Sequence, residues 1–237
     1  MTTHQAQELL DKIIGQVVGY KNPLDLDAFM KKFAFDVRLP QQVTDAVDNK
    51  PTWAQSTNPT RFVRLTNARK LTFGGASEAT DFLRPKRSLS AVEDILEAWG
   101  EINFTTTERY KDSLNVSESD NVYHSENVYR SQDINKSKNV LFSDGVGGSE
   151  FMAASQRSGN SVFCVRAEDC VECTNCFSVS WSAKLNNCFF MQDTTDMQDS
   201  MFCTNIKGKR YCIANMQYEA EEYKRIKDTV MRWVLTG

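Results

Sequence analysis

The sequence predicts a mainly β protein built on a parallel β-helix, or β-solenoid, with an α-rich N-terminal region and a C-terminal capping helix. Three observations predict it. A six-residue repeat begins at Ser113, small residues continue at every third position far beyond it, and helical spacing of apolar residues is confined to the flanks. We expect an α+β docking domain over residues 1–104, the solenoid over 105–217 and the capping helix over 218–237.

Composition limits the function classes. The chain has 237 residues, of which 41% are hydrophobic and 25% charged, which suffices for a packed core. The formal net charge of −3 lacks the basic excess typical of nucleic-acid binders. No stretch approaches the ~18–20 consecutive apolar residues of a membrane span, and the N-terminus lacks the pattern of a secretory signal. Seven cysteines, an odd number, therefore predict thiols in a reducing compartment.

The N-terminal region shows three helical segments. The first two have their apolar residues at Leu9, Leu10, Ile13, Ile14, Val17 and Val18, and then at Leu26, Phe29, Phe33 and Phe35 after Pro23. The third begins with a capping-box spacing of Ser90 and Glu93, presents Val92, Ile95, Leu96 and Trp99 on one face, and is expected to end at Gly100. Between them, "FDVRLP" (35–40) and "TRFVRLT" (60–66) alternate as strands do, and residues 48–60 resemble a loop.

The hexad repeat decides the fold class. Serine occupies nine consecutive hexad starts, at positions 113, 119, 125, 131, 137, 143, 149, 155 and 161. An aliphatic residue or Met follows three positions later in the first seven hexads, preceded by Asn or Asp in the first five. The Asn or Asp position suits a corner, where a left-handed backbone or an Asx bond is useful.

The period of three continues through the stretch "CVRAEDCVECTNC" (164–176). All seven cysteines fall in the same residue class as the serines, and none of the 32 class members from Ser113 to Ile206 is charged or Gly, Pro, Asn or Gln. This period fits neither a helix nor a flat strand, so we expect every third side chain to point into a narrow interior. Because free cysteine packs as a small hydrophobe, core filling is favoured over a metal or cluster site and over a column of disulfides; no metal or cofactor is predicted.

The number of residues in each coil stays open. Coils of twelve residues would give about eight coils, and coils of eighteen residues about five, over the stretch 113–206. The end of such a tube is an unpaired strand edge and has to be covered. A helix predicted over 219–235, with Tyr223, Ile226, Val230, Trp233 and Val234 on one face, is the candidate cover. The N-terminal region would cover the other end or dock along one side.

The segment "KRYCIANMQYEAEEYKRIK" (209–227) resembles a tail found after the repeats of Cys/Ser-rich hexad-repeat β-solenoid proteins of tailed phages and bacteria, a family of uncharacterised proteins. The resemblance covers roughly residues 113–235, implies a β-solenoid and brings no activity. The spacing of Ser and Cys also resembles beetle antifreeze coils, but an outward Thr-x-Thr ladder is absent. The hexad length resembles hexapeptide-repeat acyltransferases, but the small residue stands at the fourth place of the hexad and not at the fifth.

These features favour a structural role without catalysis: a virion protein, such as a capsid-associated decoration or cement protein of a tailed phage. Its partners would be other virion proteins or further copies of itself, with neither nucleic acid nor membrane among them. It would be made in the host cytoplasm and reside in the virion.

Two alternatives remain open. An acyltransferase would need a histidine base, and the chain has only His4 and His124. A glycan- or ligand-binding module would use outward aromatic residues. The candidates for an interface are Tyr123, Tyr129, Phe177 and Phe189, for which ordinary outward stacking or packing under the N-terminal region is the favoured interpretation. The basic segments 83–87 and 207–210 are interpreted as solvated loops. The glycine cluster at 145–148 is expected to allow a tight turn.

Overall fold

The protein is a β-solenoid of about nine turns with parallel strands, preceded by an α-rich segment and followed by one long helix. The computed structural model describes residues 1–57, 61–68 and 85–236. Pairing starts earlier and ends later than the hexad count of about eight coils suggested, because Tyr110 already pairs with Val122 and Ile213 still pairs with Met201.

The N-terminal segment contributes short helices and strands. In chain order they are α1 (Thr3–Val18), α2 (Leu26–Phe33), β1 (Gln41–Thr44), β2 (Pro51–Ala54), β3 (Arg61–Arg64), α3 (Leu65–Ala68), α4 (Val92–Ile102) and β4 (Phe104–Thr107). Strands β1 and β2 pair antiparallel, and β3 pairs parallel with β4.

The solenoid follows as a series of short strands. They are β5 (Tyr110–Lys111), β6 (Leu114–Ser117), β7 (Asp120–Tyr123), β8 (Glu126–Tyr129), β9 (Gln132–Asn135), β10 (Lys138–Leu141), β11 (Asp144–Gly147), β12 (Glu150–Ala153), β13 (Gln156–Gly159), β14 (Val162–Glu168), β15 (Thr174–Ser180), β16 (Asn186–Gln192), β17 (Gln198–Thr204), β18 (Cys212–Ile213) and β19 (Met216–Gln217). Helix α5 (Ala220–Thr236) ends the described chain.

Each coil contains twelve residues. Val116 pairs with Val128, and Val122 with Ile134, so every strand stands beside the strand twelve positions later. The sequence left twelve and eighteen open, and the register decides for twelve. A period of three then places four inward side chains in each coil, and about nine coils at the ~4.8 Å strand separation make a tube roughly 43 Å long.

The corners explain the period of three. From Asp112 to Ala214 every third residue has a positive φ, as at Asn115 (54°), Asn121 (58°) and Asn127 (56°). Left-handed backbone is tolerated best by Asn, Asp and Gly. The expectation that the recurring Asn or Asp occupies a left-handed corner is confirmed. Gly145 and Gly148 stand in the same class with φ values of 66° and 60°, and a Cβ on Gly148 would lie 2.6 Å from Asn160 Oδ1.

The inward residue class is the interior of the tube. Every member from Ser119 to Cys203 is buried. Serine hydroxyls bind backbone groups of the next coil and of their own: Ser131 N donates to Ser119 Oγ at 3.1 Å across coils, and Ser119 Oγ donates to Ser117 O at 2.7 Å within its coil. Ser143 N repeats the pattern on Ser131 Oγ at 3.0 Å. A buried N–H needs such a partner, so serine is both small enough and polar enough for these columns.

Outside the tube, corner residues in register form ladders. Asn115 Nδ2 donates to Asn127 Oδ1 at 2.7 Å, and Asn127 Nδ2 donates to Asn139 Oδ1 at 2.9 Å. Phe151 and Phe163 continue this column as a parallel stack with ring centroids 4.3 Å apart. These side chains bind successive coils to one another from outside.

One face of the tube, here called the covered face, lies under helices. Its outward residues are Tyr129, Leu141, Ala153, Val165, Phe177, Phe189 and Met201. They share one apolar core with the buried sides of α1, α2 and α5, including Leu10, Ile13, Phe29 and Tyr223. The three segments expected from the sequence therefore meet in a common core, and the N-terminal helices dock along the side of the tube.

Helix α5 forms over nearly the predicted range but lies along the tube. Tyr223 contacts Tyr211 of the last coil at 5.6 Å, Lys227 Nζ lies 4.6 Å from the Phe189 ring centroid, and Trp233 lies 6.2 Å from Phe190. The helix thus runs back over several coils. The antiparallel pair β18–β19 folds at the end of the tube instead, and there Asn215 Nδ2 donates to Thr204 O at 2.9 Å.

Strands β1–β4 pack at the first coil. Thr52 Oγ1 of β2 and Thr107 Oγ1 of β4 are 2.7 Å apart, and Gln55, the residue after β2, donates its backbone N–H to Asp120 Oδ2 of β7 at 3.1 Å. Among the described residues no helix is both long and apolar enough to traverse a bilayer.

Several local expectations were wrong. Residues 35–40 form a turn and irregular structure, and the strand begins just after them, at Gln41. The presumed loop 48–60 contains strand β2, and its residues 58–60 lie outside the described chain, as do residues 83–84 of the first basic segment. Helix α4 has its N-cap at Ala91 instead of Ser90, because the Asp94 side chain accepts from both backbone N–H groups, and it continues past Gly100 to Ile102.

Candidate functional site

The cysteines form a cluster inside the tube. Cys170, Cys173 and Cys176 occupy consecutive inward positions of one coil, and Cys164 pairs in register with Cys176 one coil earlier. Cys188 follows twelve residues after Cys176 in the same column. All seven cysteines are buried free thiols, which confirms that they fill the interior.

The thiols copy the hydrogen bonds of the serines. Cys170 Sγ donates to Glu168 O at 3.1 Å, two residues earlier, as Ser119 Oγ does to Ser117 O. Cys176 Sγ donates to Thr174 O at 3.2 Å in the same way. Cys173 N donates to Ser161 Oγ at 3.1 Å, which continues a serine column. Cysteine therefore makes the same hydrogen bond as serine to the carbonyl two residues earlier.

Burial governs the ionisation of this cluster. It raises the pKa of the Cys176 thiol well above its ordinary value and that of Cys188 to about 12. Cys173 differs because the thiols of Cys170 and then Cys176 donate to its sulfur, which lowers its pKa.

Metal-ligating side chains do not converge in the described chain: no group of three or more His, Cys, Asp or Glu residues there is placed to hold an ion.

Three of the four aromatic residues predicted to form an interface are buried in a contact within the same molecule. Tyr129, Phe177 and Phe189 are buried on the covered face. Phe177 meets Phe33 of α2 edge-on at 5.4 Å, and Tyr129 meets Phe142 at 5.8 Å. They form an interface, but it joins the tube to its own helices and offers no exterior surface.

Tyr123 belongs to a different face. It stands six residues before Tyr129, which is half of a twelve-residue coil, so the two side chains lie on opposite sides of the tube. The sequence placed them one hexad apart in one register, and this is wrong because the hexad is only half of the coil. Tyr123 is partly exposed.

Charged residues on the tube hold the helices, and sequence reasoning missed them. Arg166 Nη2 binds Asp36 Oδ2 at 2.8 Å, and Arg130 Nη1 binds Asp27 Oδ1 at 3.4 Å. Both arginines occupy left-handed corners next to the covered face, and they stand in the same column, three coils apart. The only signal of these two arginines in the sequence is their shared position within the coil, and that position can be recognised only when the coil length is known.

The histidines lie at the surface. His124 occupies a left-handed corner with its side chain half exposed, and its Nδ1 lies 3.6 Å from Asp112 Oδ2. His4 Nε2 lies 3.3 Å from Glu8 Oε1 on the exposed side of α1. The outward orientation predicted for His124 is confirmed.

Depressions beside the helices reach the covered face at Phe177 and at Tyr129. An apolar pocket of about 120 Å³ is lined by Lys32, Phe33, Phe177, Phe190, Trp233 and Val234. A wider groove of about 520 Å³ opens between α1, α2 and the tube and is lined by Thr3, His4, Gln7, Asp25, Leu26, Asp27, Tyr129 and Arg130. The first has aromatic walls, and the second is lined mainly by polar side chains.

Comparison with known proteins adds no relative: the sequence matches no protein-family model and no curated protein.

Proposed function

We propose that this protein is a non-enzymatic structural component of a larger particle, namely a capsid-associated decoration or cement protein in the virion of a tailed phage. The observation that carries the proposal is the construction of the tube. Buried side chains fill its interior, and regular contacts join successive coils both inside and outside the tube. The phage setting rests on the resemblance of residues 209–227 to the tail of phage and bacterial solenoid proteins.

Stiffness is the physical property that supports this role. Successive coils are joined by parallel backbone pairing, and some are joined further by serine hydroxyls inside, as at Ser119 and Ser131, or by asparagine amides outside, as at Asn115 and Asn127. Parallel solenoids transmit contacts only between neighbouring coils, so such redundant bonding favours a uniform rod. A rod of fixed length suits a molecule that occupies a repeated position in a lattice.

The helices are held firmly against one side of the tube. Besides the buried core, Arg38 of the N-terminal segment contacts Asp144 at 3.2 Å and Asp133 at 3.4 Å on the tube. Helices and tube would therefore present one body to a partner. The opposite face carries small outward residues, Gly147, Gly159 and Ala183, with Val171 exposed among them, and this flat surface suits a broad protein contact.

Particle composition tests the proposal. Virions purified from a producing host by density gradient are expected to contain the chain at a fixed copy number per capsid, measured by quantitative mass spectrometry against the major capsid protein. Recovery of the chain only in the soluble fraction of the lysate, with particles devoid of it, would contradict the structural role. An acyltransferase of the hexapeptide type would give that second result.

A further inference from the structure

The flat face of the tube, opposite the helices, is bordered by two columns of left-handed corners. Its outward residues pair in register from coil to coil and are all partly or fully exposed: Gly147, Gly159, Val171, Ala183, Thr195 and Lys207. One corner column stands two residues before these positions in the chain, and the other stands one residue after them. A second molecule on this face would therefore meet three parallel columns of side chains.

Charged residues follow a definite order along the two corner columns. In the column after the flat face, Glu172 is followed one coil later by Lys184. In the column before it, Arg157 stands three coils ahead of Asp193. All four side chains are exposed, and within the described chain Glu172, Lys184 and Asp193 have no ion-pair partner. These charges are therefore available to another molecule.

The order of the charges is self-complementary under a two-fold axis. An axis parallel to the strands makes the second tube antiparallel, so each corner column meets the same column of the other copy in reverse order. With the axis between the coils of Glu172 and Lys184, Glu172 of one copy faces Lys184 of the other, and Arg157 faces Asp193. Each pair forms twice, because a two-fold interface is isologous. Among the described residues of the three columns, no like charges face each other in this register.

Other arrangements of two copies bring like charges together. Parallel tubes related by a two-fold axis would place Asp169 opposite Glu172 and Asp193 opposite Asp196. Antiparallel tubes shifted by one coil would place Glu172, or Lys184, opposite the same residue of the other copy. Opposed like charges in a contact disfavour it, so the charges of the corner columns select one antiparallel register.

We propose that the flat face is a self-association surface on which a second copy of this chain packs antiparallel, with Glu172 paired to Lys184 and Arg157 to Asp193 across the two-fold axis. The two faces overlap from Gly147 to Lys207, which is six coils or about 29 Å. A contact of this size lies at the lower end of protein interfaces, so the dimer should dissociate on dilution. The inference does not rest on the proposed virion role.

Two apolar side chains stand at the centre of this contact. Val171 is 43% exposed, and Trp181, in the corner column beside it, is 54% exposed. Trp181 Nε1 donates to Asp169 Oδ2 at 3.2 Å, which holds the indole in place before a partner binds. Central aromatic residues of this kind carry much of the binding free energy of an interface, and the proposed register buries both side chains.

Charge reversal tests the pairing in solution. Glu172→Lys would oppose two lysines at each end of the pair, so it should raise the dissociation constant of the dimer at least about tenfold. Combining it with Lys184→Glu restores opposite charges and should restore the wild-type value. Lys136→Glu, in the same column but outside the overlap, is the matched control and should change nothing. All three positions are exposed left-handed corners, so the exchanges leave the backbone requirement alike.

Sedimentation equilibrium measures these constants. Between about 5 and 500 µM the weight-average mass of the wild-type chain should rise above the 27.0 kDa of the monomer, and circular dichroism checks that each variant is folded. A wild-type chain that stays monomeric over this range, or a double variant that dimerises as weakly as Glu172→Lys alone, would overturn the proposal.

Cross-linking through an introduced cysteine tests the register. All seven native thiols are buried, so a cysteine on the flat face is the exposed thiol of the described chain. In the proposed dimer the two copies of position 171 lie one coil apart along the tube, whereas the two copies of position 135 lie seven coils, or about 34 Å, apart. With a short bismaleimide, Val171→Cys should form covalent dimers at least about tenfold faster than Asn135→Cys. Equal rates, as parallel tubes would give, would refute the antiparallel contact.

Discussion

At the scale of the residue, the inward position of each triplet determines the fold of the tube. It is narrow and dry, so it takes small or aliphatic side chains, such as Val122 and Ile134. Where serine stands, as at Ser131, the hydroxyl accepts the backbone N–H of the next coil. This could be predicted from the sequence because a period of three is a direct consequence of the coil geometry. The coil length could not, since twelve and eighteen are both multiples of the hexad.

Replacement of one inward serine tests this requirement. Ser131→Ala removes the acceptor of the Ser143 N–H inside the tube, and an unsatisfied buried donor costs about 1–3 kcal/mol. We expect a clear drop in the free energy of unfolding measured with urea. The control is Asn135→Ala, an exposed outward position nearby, which should change stability by less than about 0.5 kcal/mol. Equal effects of the two variants would show that the serine columns do not bear on stability.

At the scale of the element, periodicity predicted helices but not the surfaces they use. The apolar residues of α1 from Leu9 to Val18 are buried as their spacing indicates, whereas those of α4 are exposed although their spacing is equally regular. Whether an apolar stripe faces the chain's own core or solvent depends on tertiary placement, which spacing does not encode. Similarly, alternation in residues 35–40 mimicked a strand, although Phe35 ends up exposed beside Arg166, whose guanidinium lies 4.7 Å from its ring centroid.

Two aromatic residues of α5 can be used to test which side of the helix packs against the tube. Tyr223 is 1% exposed and Trp233 is 57% exposed, so truncation to alanine should cost roughly 3–4 kcal/mol at Tyr223 and far less at Trp233. Thermal unfolding followed by circular dichroism checks the order. Tyr223→Phe is the control for packing: among the described residues the buried Tyr223 hydroxyl has no hydrogen-bond partner, so its removal should be neutral or stabilising. A larger loss at Trp233 than at Tyr223 would mean that α5 packs with a different side inward.

At the scale of the whole molecule, one face of a stiff tube is joined to helices from both ends of the chain. The sequence indicated the tube, the flanking helices and the aromatic residues between them. It did not reveal that Tyr129, Phe177 and Phe189 lie on one face and Tyr123 on another, because this assignment requires the twelve-residue coil. The same coil length places Arg130 and Arg166 where they hold α2 and the turn after it. The candidate surface for a partner follows from this arrangement: it is the flat face opposite the helices.

The central claim is that every third side chain lies in one dry interior, and a quantitative thiol titration tests it most directly. A thiol reacts through its thiolate, which the reagent has to reach, and all seven cysteines are buried as free thiols. With a chromogenic disulfide reagent at about pH 8, none of the seven thiols of the native protein should react quickly, and all seven should react at once after unfolding in guanidinium without reductant. Rapid reaction of several thiols in the native protein, or fewer than seven after unfolding, would contradict the filled interior.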